Sequence, residues 1–474
     1  MAVSASSTDP YVLTADGVRE PPTNLRGGLR HLGPGLIVSA SIVGSGELIA
    51  TTTLGAQVGF VILWMVIVST TVKVAVQVEL ARWTIATGKP ALTGYDQVPP
   101  RLGHSIGRRL GGNGPGWINL LWILLSLSKV LQVGGIVGGV AVALSILLPF
   151  GDPLGATSLT IWTIVVVAGS IAMLYSNRYR LIERGAFVLV IVFSVLTVVI
   201  AFGLPFTPFQ YEVSEVLEGM AFRIPAGALG AAVAMFGITG VGADEITFYT
   251  YWCLEKGYAR WAGPPDGSEQ WLRRANGWIR VMYVDAVVSW VIYTFSTLAF
   301  FVMGAAVLHP QGLTPQGNDL LTTLSRMYTD TLGEWATIGF LIGAIAVLGS
   351  TLWASIPSWS RMYVNLLATL GVLDWQDRAR RDRWVRGFVV ALPIVWGAAY
   401  LLVSSPVLMV QIGGVMTGVF LLAVVVAVWY LRRTEVDPRL RGGRVFTVAL
   451  VLSSVAIVLL GVYTVLEVFG VRIG

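Results

Sequence analysis

Val43-Gly44-Ser45-Gly46-Glu47-Leu48 and Val241-Gly242-Ala243-Asp244-Glu245-Ile246 are two copies of one pattern, small residues followed by a carboxylate inside an apolar run, and Thr52 matches Thr250 at the same offset. Gly44 and Gly46 in the first copy, and Gly237, Gly240 and Gly242 around the second, weaken a helix at the middle of a span. Backbone N–H and C=O groups released at that depth are tolerated only where they line a cavity or meet a ligand. The copies fall in the first and sixth apolar runs, an odd offset of five, so the two halves have opposite orientations. That is the inverted-repeat arrangement of many secondary transporters.

The rest of the chain agrees with a membrane setting. Its 474 residues are 55% hydrophobic and only 12% charged, with a mean hydropathy of +0.73. A soluble globular chain carries about twice that charge. At roughly 20 apolar residues per crossing, the composition supports around ten or eleven spans and leaves no separate soluble catalytic domain. Apolar runs at 32–54, 58–80, 117–149, 157–176, 185–205, 226–253, 281–308, 335–359, 385–403, 406–431 and 445–469 predict an all-α integral membrane protein with eleven spans. Residues 1–31, polar and interrupted by Pro10, Pro21 and Pro22, read as a loose tail and not as a signal peptide. Of the 32 Lys+Arg, only Arg223, Arg326 and Arg472 fall on the side opposite the tail, while Lys73 and Lys129 lie within spans. The positive-inside rule therefore predicts a multi-pass plasma-membrane protein with a cytoplasmic N-terminus and an extracytoplasmic C-terminus. The +6 charge sets topology and implies no nucleic-acid partner.

Several chemistries are excluded by what is missing. Cys253 is the only cysteine, so no intrachain disulfide, CxxC pair or thiolate metal site can form. His31, His104 and His309 lie outside or at the edges of spans, which denies Ser45 in Gly44-Ser45-Gly46 a histidine base, leaves only a Ser–Lys pair and argues against an enzyme. No P-loop or HExxH motif appears, and no cofactor is implied.

Charges inside the spans are the functional candidates. Glu79 and Asp285 lie near span ends, within reach of loop arginines; Glu47, Lys73, Lys129, Asp244 and Glu245 lie deeper. Glu47 on one interrupted helix and Asp244 or Glu245 on the other offer hard oxygen donors beside the Gly44 and Gly242 carbonyls and the Ser45 hydroxyl, a natural cation site. Lys73 and Lys129 are charge-balancing or coupling candidates. A packing reading stays open, in which the glycines let helices approach and the lysines neutralise the acids.

The residues also resemble a known family. Gly33-Pro34-Gly35-Leu36-Ile37-Val38, the break, Leu54-Gly55-Ala56-Gln57-Val58-Gly59-Phe60, Leu63-Trp64, Gln77, Ala81-Arg82 and Ile85-Ala86-Thr87-Gly88-Lys89 resemble the first two spans of the natural resistance-associated macrophage protein (Nramp) family of divalent-metal transporters. Asp285, Gly349-Ser350-Thr351 and Gln411 extend the resemblance to the seventh, eighth and tenth spans. It implies a LeuT-type fold: a first five-helix repeat over 32–205, an inverted second repeat over 226–431 and an eleventh helix at 445–469. It further implies alternating access around a midplane site of Gly44, Ser45, Glu47, Gly242, Asp244, Glu245 and Gln411, with Glu47 and Asp244 as metal ligands. The departures lie at that site. The family's Asp-Pro-Gly-Asn aligns with Gly44-Ser45-Gly46-Glu47 and its Met-Pro-His with Gly242-Ala243-Asp244, so the thioether is lost. Third-span acids that move protons in the family are replaced by Ser126, Lys129, Gln132 and Val133. An all-oxygen site suits Mg²⁺ or Mn²⁺. The lysines leave a second substrate class open, a small organic amine or amino-acid-like solute moved without metal.

Two further features have mainly structural readings. Gly134, Gly135, Gly138 and Gly139 form a small-residue packing face, and the connection through Trp261-Ala262-Gly263-Pro264-Pro265-Asp266-Gly267 reads as a mobile loop. The expected partners are a small cation and the lipid bilayer, and the chain is expected to act as a monomer.

Overall fold

The computed structural model describes residues 9–100, 114–175, 179–224 and 229–468. Among them the chain is helical, without a strand, as apolar segments must be when no water is present to satisfy the backbone. Helix α1 (Pro34–Ile42) begins with Pro34 at its first position, where a missing N–H costs nothing. It passes through Val43 and Gly44 into a wide π-type turn at Ser45–Thr51 and then into α2 (Thr52–Val58). Gly59, at φ 64°, adopts a backbone that a β-carbon would strain, and leads toward α3 (Leu63–Thr87). The chain continues as α4 (Trp117–Leu147), α5 (Ala156–Tyr175) and α6 (Tyr179–Gly203). The predicted sixth run is divided into α7 (Leu229–Ile238) and α8 (Ala243–Lys256). Long helices follow: α9 (Glu269–Met303), α10 (Ala336–Thr369), α11 (Arg378–Val403), α12 (Pro406–Thr434) and α13 (Arg444–Val468). Eight stretches among the described residues are long and apolar enough to cross a membrane, one of them the whole of Pro34–Thr87.

Helix α4 is central and packs against α5, α10, α11 and α12, while α9 packs against α1, α3 and α6, and α13 lies on α3 and α12. The glycine face of α4 is an internal packing face: Gly135 meets Pro406 and Met409, Gly138 meets the Tyr400 ring and Gly139 meets Leu348. Gly237 of α7 presses on the Gly414 carbonyl of α12 with no room for a side chain. This close crossing seats the interruption between α7 and α8 against its neighbours.

Tertiary partners overturn three readings of the sequence. The N-terminal segment is docked from residue 9 onward: the Asp9 carboxylate accepts two bonds from Arg381 Nη2, at 2.9 and 2.8 Å, with both side chains buried. Tyr11 donates to Glu255 Oε1 at 2.9 Å, the same oxygen that Arg361 reaches at 2.8 Å. Trp278 Nε1 donates to the Arg19 carbonyl at 3.0 Å. The connection after α8 is not loose over Gly257–Gly263: Tyr258–Ala262 forms a helical turn whose Trp261 packs on Tyr258 and Trp278, and Trp261 O accepts from Arg19 N at 3.0 Å. Asp285 finds no arginine among the described residues; its carboxylate accepts the Gly33 and Gly35 amides at the start of α1 and the Tyr249 hydroxyl. It thus answers two of the otherwise orphaned amides at the start of α1, from another helix. Glu79 does pair as its position suggested, with Arg82 and, at 2.8 Å, with Arg432.

Removing one partner of a buried ion pair strands the other, at a cost of about 3–5 kcal/mol. Arg381→Ala is therefore expected to release the N-terminal segment, so that trypsin cuts at Arg19 and Arg26 much faster than in the wild type. Equal cleavage rates in the same detergent would show that the Asp9 pair does not hold the segment.

Candidate functional site

The last carbonyls of a helix lack intrahelical partners and carry the negative end of its dipole. At the end of α7 a cation answers them. Lys73 Nζ, delivered by α3, donates to Phe236 O and Thr239 O, each at 2.6 Å. The Ser69 hydroxyl one turn earlier bonds to the same two carbonyls at 3.2 and 3.1 Å. Lys73 is fully buried and its ammonium lies 5.0 Å from the centroid of the Phe236 ring.

Beyond Thr239, Gly240 takes a φ of 67° and the chain restarts as α8 with Gly242 as its N-cap. Asp244 and Glu245 occupy the first turn of α8, where free amides and the positive end of the dipole favour carboxylates. The Glu245 carboxylate folds back over Gly242. Asp244 Oδ1 pairs with Lys129 Nζ of α4 at 2.9 Å, and both side chains are at most 5% exposed. The same ammonium donates to Gln132 Oε1 at 2.6 Å, and Gln132 packs over Gly413 of α12.

Glu47 joins the two copies of the motif. It lies in the π-type turn of the first, fully buried, and its Oε1 accepts from Gly240 N of the second copy at 3.3 Å and from Thr297 Oγ1 of α9 at 2.9 Å. Its Oε2 has no hydrogen-bond partner among the described residues. Thr51 bonds to Gly46 O at 2.7 Å and to Thr239 Oγ1 at 2.9 Å, a second tie between the turns. Gly44 presses on Thr351 of α10, whose hydroxyl and that of Ser350 donate to Ala40 O at 3.2 and 3.3 Å.

Lys73 interacts electrostatically with Glu47, Asp244, Glu245 and Lys129, so the deep charges expected from the sequence form one cluster around the gap between α7 and α8. Some placements differ from the expectation. Lys73 sits on backbone carbonyls, and its ammonium makes no ion pair with Glu47 among the described residues. The Gly44 and Gly242 carbonyls already accept Leu48 N at 3.1 Å and Ile246 N at 2.9 Å, which uses one lone pair of each. The side chain of Ser45 lies outside the described residues, as does His104. Gln411, half-buried near the start of α12, shares no hydrogen bond with the three acids among the described residues. Thr297, Thr239, Thr51 and Ser69 were not visible as site residues. Hydroxyls in apolar helices commonly bond their own backbone, as Thr297 also does to Tyr293 O at 2.6 Å, so their presence carries no signal by itself. No group of three or more His, Cys, Asp or Glu suited to holding a metal occurs among the described residues. The cluster instead presents carboxylate, hydroxyl and carbonyl oxygens, with two ammonium groups among them.

Residues 35–467 match the family model described as natural resistance-associated macrophage protein-like. The divalent metal cation transporter MntH of Mycobacterium tuberculosis (strain H37Rv) is 24% identical over 369 residues, covering 74% of this chain and 76% of that protein. The fold is similar to that of the Eremococcus coleocola manganese transporter, with a TM-score of 0.65 at 16% identity over 100% of this chain and 93% of the other. It is also similar to Mhp1, a nucleobase-cation-symport-1 family transporter, with a TM-score of 0.56 at 14% identity over 91% and 89% of the two chains. These likenesses show an all-α fold of the LeuT type.

Lys73→Met would leave Phe236 O and Thr239 O with only the Ser69 hydroxyl, and a buried acceptor without a partner costs about 1–3 kcal/mol. The variant is expected to unfold at a lower temperature than the wild type in the same detergent, whereas Gln411→Leu leaves the transition nearly unchanged. An unaltered transition for Lys73→Met would show that the carbonyls do not depend on the ammonium.

Proposed function

Because this chain belongs to the natural resistance-associated macrophage protein family, we propose that it is a secondary transporter that carries a divalent metal ion through the membrane by alternating access. The observation that carries this reading is Glu47: a fully buried carboxylate beside two interrupted helices, with one oxygen bonded and Oε2 left without a partner among the described residues. Such an oxygen is costly to bury unless something binds it. A cation entering here would take Glu47 Oε2, Asp244 once Lys129 gives way, and oxygens of the neighbouring backbone and of Gly44, Ser45, Gly242, Glu245 and Gln411. Oxygen donors without a thioether favour a hard ion such as Mg²⁺ or Mn²⁺. Met235 of α7 is fully buried and aligns with no ligand position of the motif.

The interruptions supply the joints for the motion. Residues between α1 and α2 and between α7 and α8 can absorb changes in backbone angle while the flanking helices stay intact, as in other broken-helix transporters. The two repeats, 32–205 and 226–431, would then rock about the site in a plasma-membrane protein of eleven spans with its N-terminus in the cytoplasm. This topology is supported by the distribution of basic residues. One observation favours a second substrate class: an organic amine could replace the Lys129 ammonium on Asp244 like for like.

Purified protein in proteoliposomes that enclose a divalent-ion indicator separates the two. Saturable uptake of Mg²⁺ or Mn²⁺, abolished in Glu47→Gln with the protein still folded, is expected. Undiminished uptake in that variant would remove Glu47 from the site. No uptake of Mg²⁺, Mn²⁺ or Ca²⁺ by folded wild type would overturn the metal reading in favour of an amine.

A further inference from the structure

A transporter working by alternating access must also return its empty site across the membrane, and the return fails if the site keeps an uncompensated buried charge. Asp244 is at most 5% exposed, and its carboxylate pairs with the Lys129 ammonium at 2.9 Å. Lys129 at the same time donates to a second acceptor, Gln132 Oε1 at 2.6 Å, one turn further along the same helix. Gln132 is held in place because α12 presents Gly413 to it, with no side chain between the two helices. The ammonium can therefore leave Asp244 without leaving all of its hydrogen bonds.

We propose that Lys129 is a tethered counter-cation: it occupies Asp244 in the empty carrier, shifts onto Gln132 when the transported cation arrives, and returns to Asp244 after release, so that the empty site resets without a co-transported ion. This rests on the reading of the protein as a cation transporter given above and adds how its cycle closes. Lys73 is unsuited to the same role because it is committed to Phe236 O and Thr239 O at 2.6 Å and makes no ion pair with a carboxylate among the described residues. The charged groups facing Lys129 are Asp244 and Glu245 from α8 and, across the gap, Lys73 from α3. No step requires a group to gain or lose a proton.

The consequence divides two modes of transport. Net uptake needs the empty site to reorient, whereas exchange of one cation for another across the membrane reorients only the loaded site. Lys129→Met removes both the competitor for Asp244 and the charge that lets the empty site return. In proteoliposomes, with whichever of Mg²⁺ and Mn²⁺ the wild type takes up, net uptake should fall roughly tenfold or more in Lys129→Met while tracer exchange with the same ion loaded inside persists. Half-saturation for exchange should move to lower concentration, since the site is no longer partly occupied by its own lysine. Lys129→Arg, which keeps the charge, should recover part of the net uptake. Gln132→Leu tests the same device with Lys129 in place: without its second acceptor the ammonium stays on Asp244, and half-saturation should rise. Equal loss of exchange and net uptake in folded Lys129→Met, or net uptake unchanged, overturns the proposal, as does an unchanged half-saturation in Gln132→Leu. Failure of the metal reading looks different, because it is the wild type that then shows neither uptake nor exchange of any divalent ion, and the inference falls with it.

Discussion

The gap between α7 and α8 is the constraint on which the site depends. A helix opened inside the hydrocarbon region exposes carbonyls on one side and amides on the other, and no water is there to bond them. In this chain each end is answered by a side chain of the opposite sign: Lys73 lies on Phe236 O and Thr239 O, Glu47 accepts Gly240 N, and Asp244 and Glu245 sit at the start of α8. Of these groups, Lys73 must arrive from α3 and Glu47 from the π-type turn of the first copy. The crossing of α7 on α12 at Gly237 and the contact of Gly44 with Thr351 are therefore as much a part of the site as the carboxylates.

The arrangement also changes what binding has to accomplish. Under the proposed function, a cation entering at Asp244 would exchange with the Lys129 ammonium, and the difference between the two interactions would set affinity. Burial on both sides of the Lys129–Asp244 pair makes that exchange steep, since neither charge can be left alone at low cost. Glu47 differs: Thr297 and Gly240 bond its Oε1, while its Oε2 has no hydrogen-bond partner among the described residues. The two carboxylates of the predicted ligand pair are thus unequal.

At the N-terminal edge the same economy of charge holds the ends of α8, α10 and α11 together. Buried Asp9 pairs with Arg381, Tyr11 bonds to the partly buried Glu255–Arg361 pair, and Asp285 caps the start of α1. These contacts join the segment before α1 to α8, which carries the second copy of the motif, and to α10 and α11.

The sequence by itself determined the membrane setting, the helical class, the family and the two interruptions. The family rests on the motifs between Gly33 and Lys89 that resemble it; the other three rest on information local in the chain: apolar runs long enough to cross a bilayer, glycines that weaken a helix, and carboxylates placed just after them. It also marked Glu47, Lys73, Lys129, Asp244 and Glu245, because a charge in an apolar run is costly wherever the run packs. Only the tertiary structure decided which ammonium meets which oxygen. Lys73 and Lys129 are equivalent in the sequence as deep lysines, yet the packing of α3 beside α7 carries one to backbone carbonyls and that of α4 beside α8 carries the other to Asp244. Thr297, the Gly240 amide and the partners of Asp9 were invisible for the same reason. Their roles depend on approaches between segments hundreds of residues apart, fixed by helix packing and not by the pattern of any one segment.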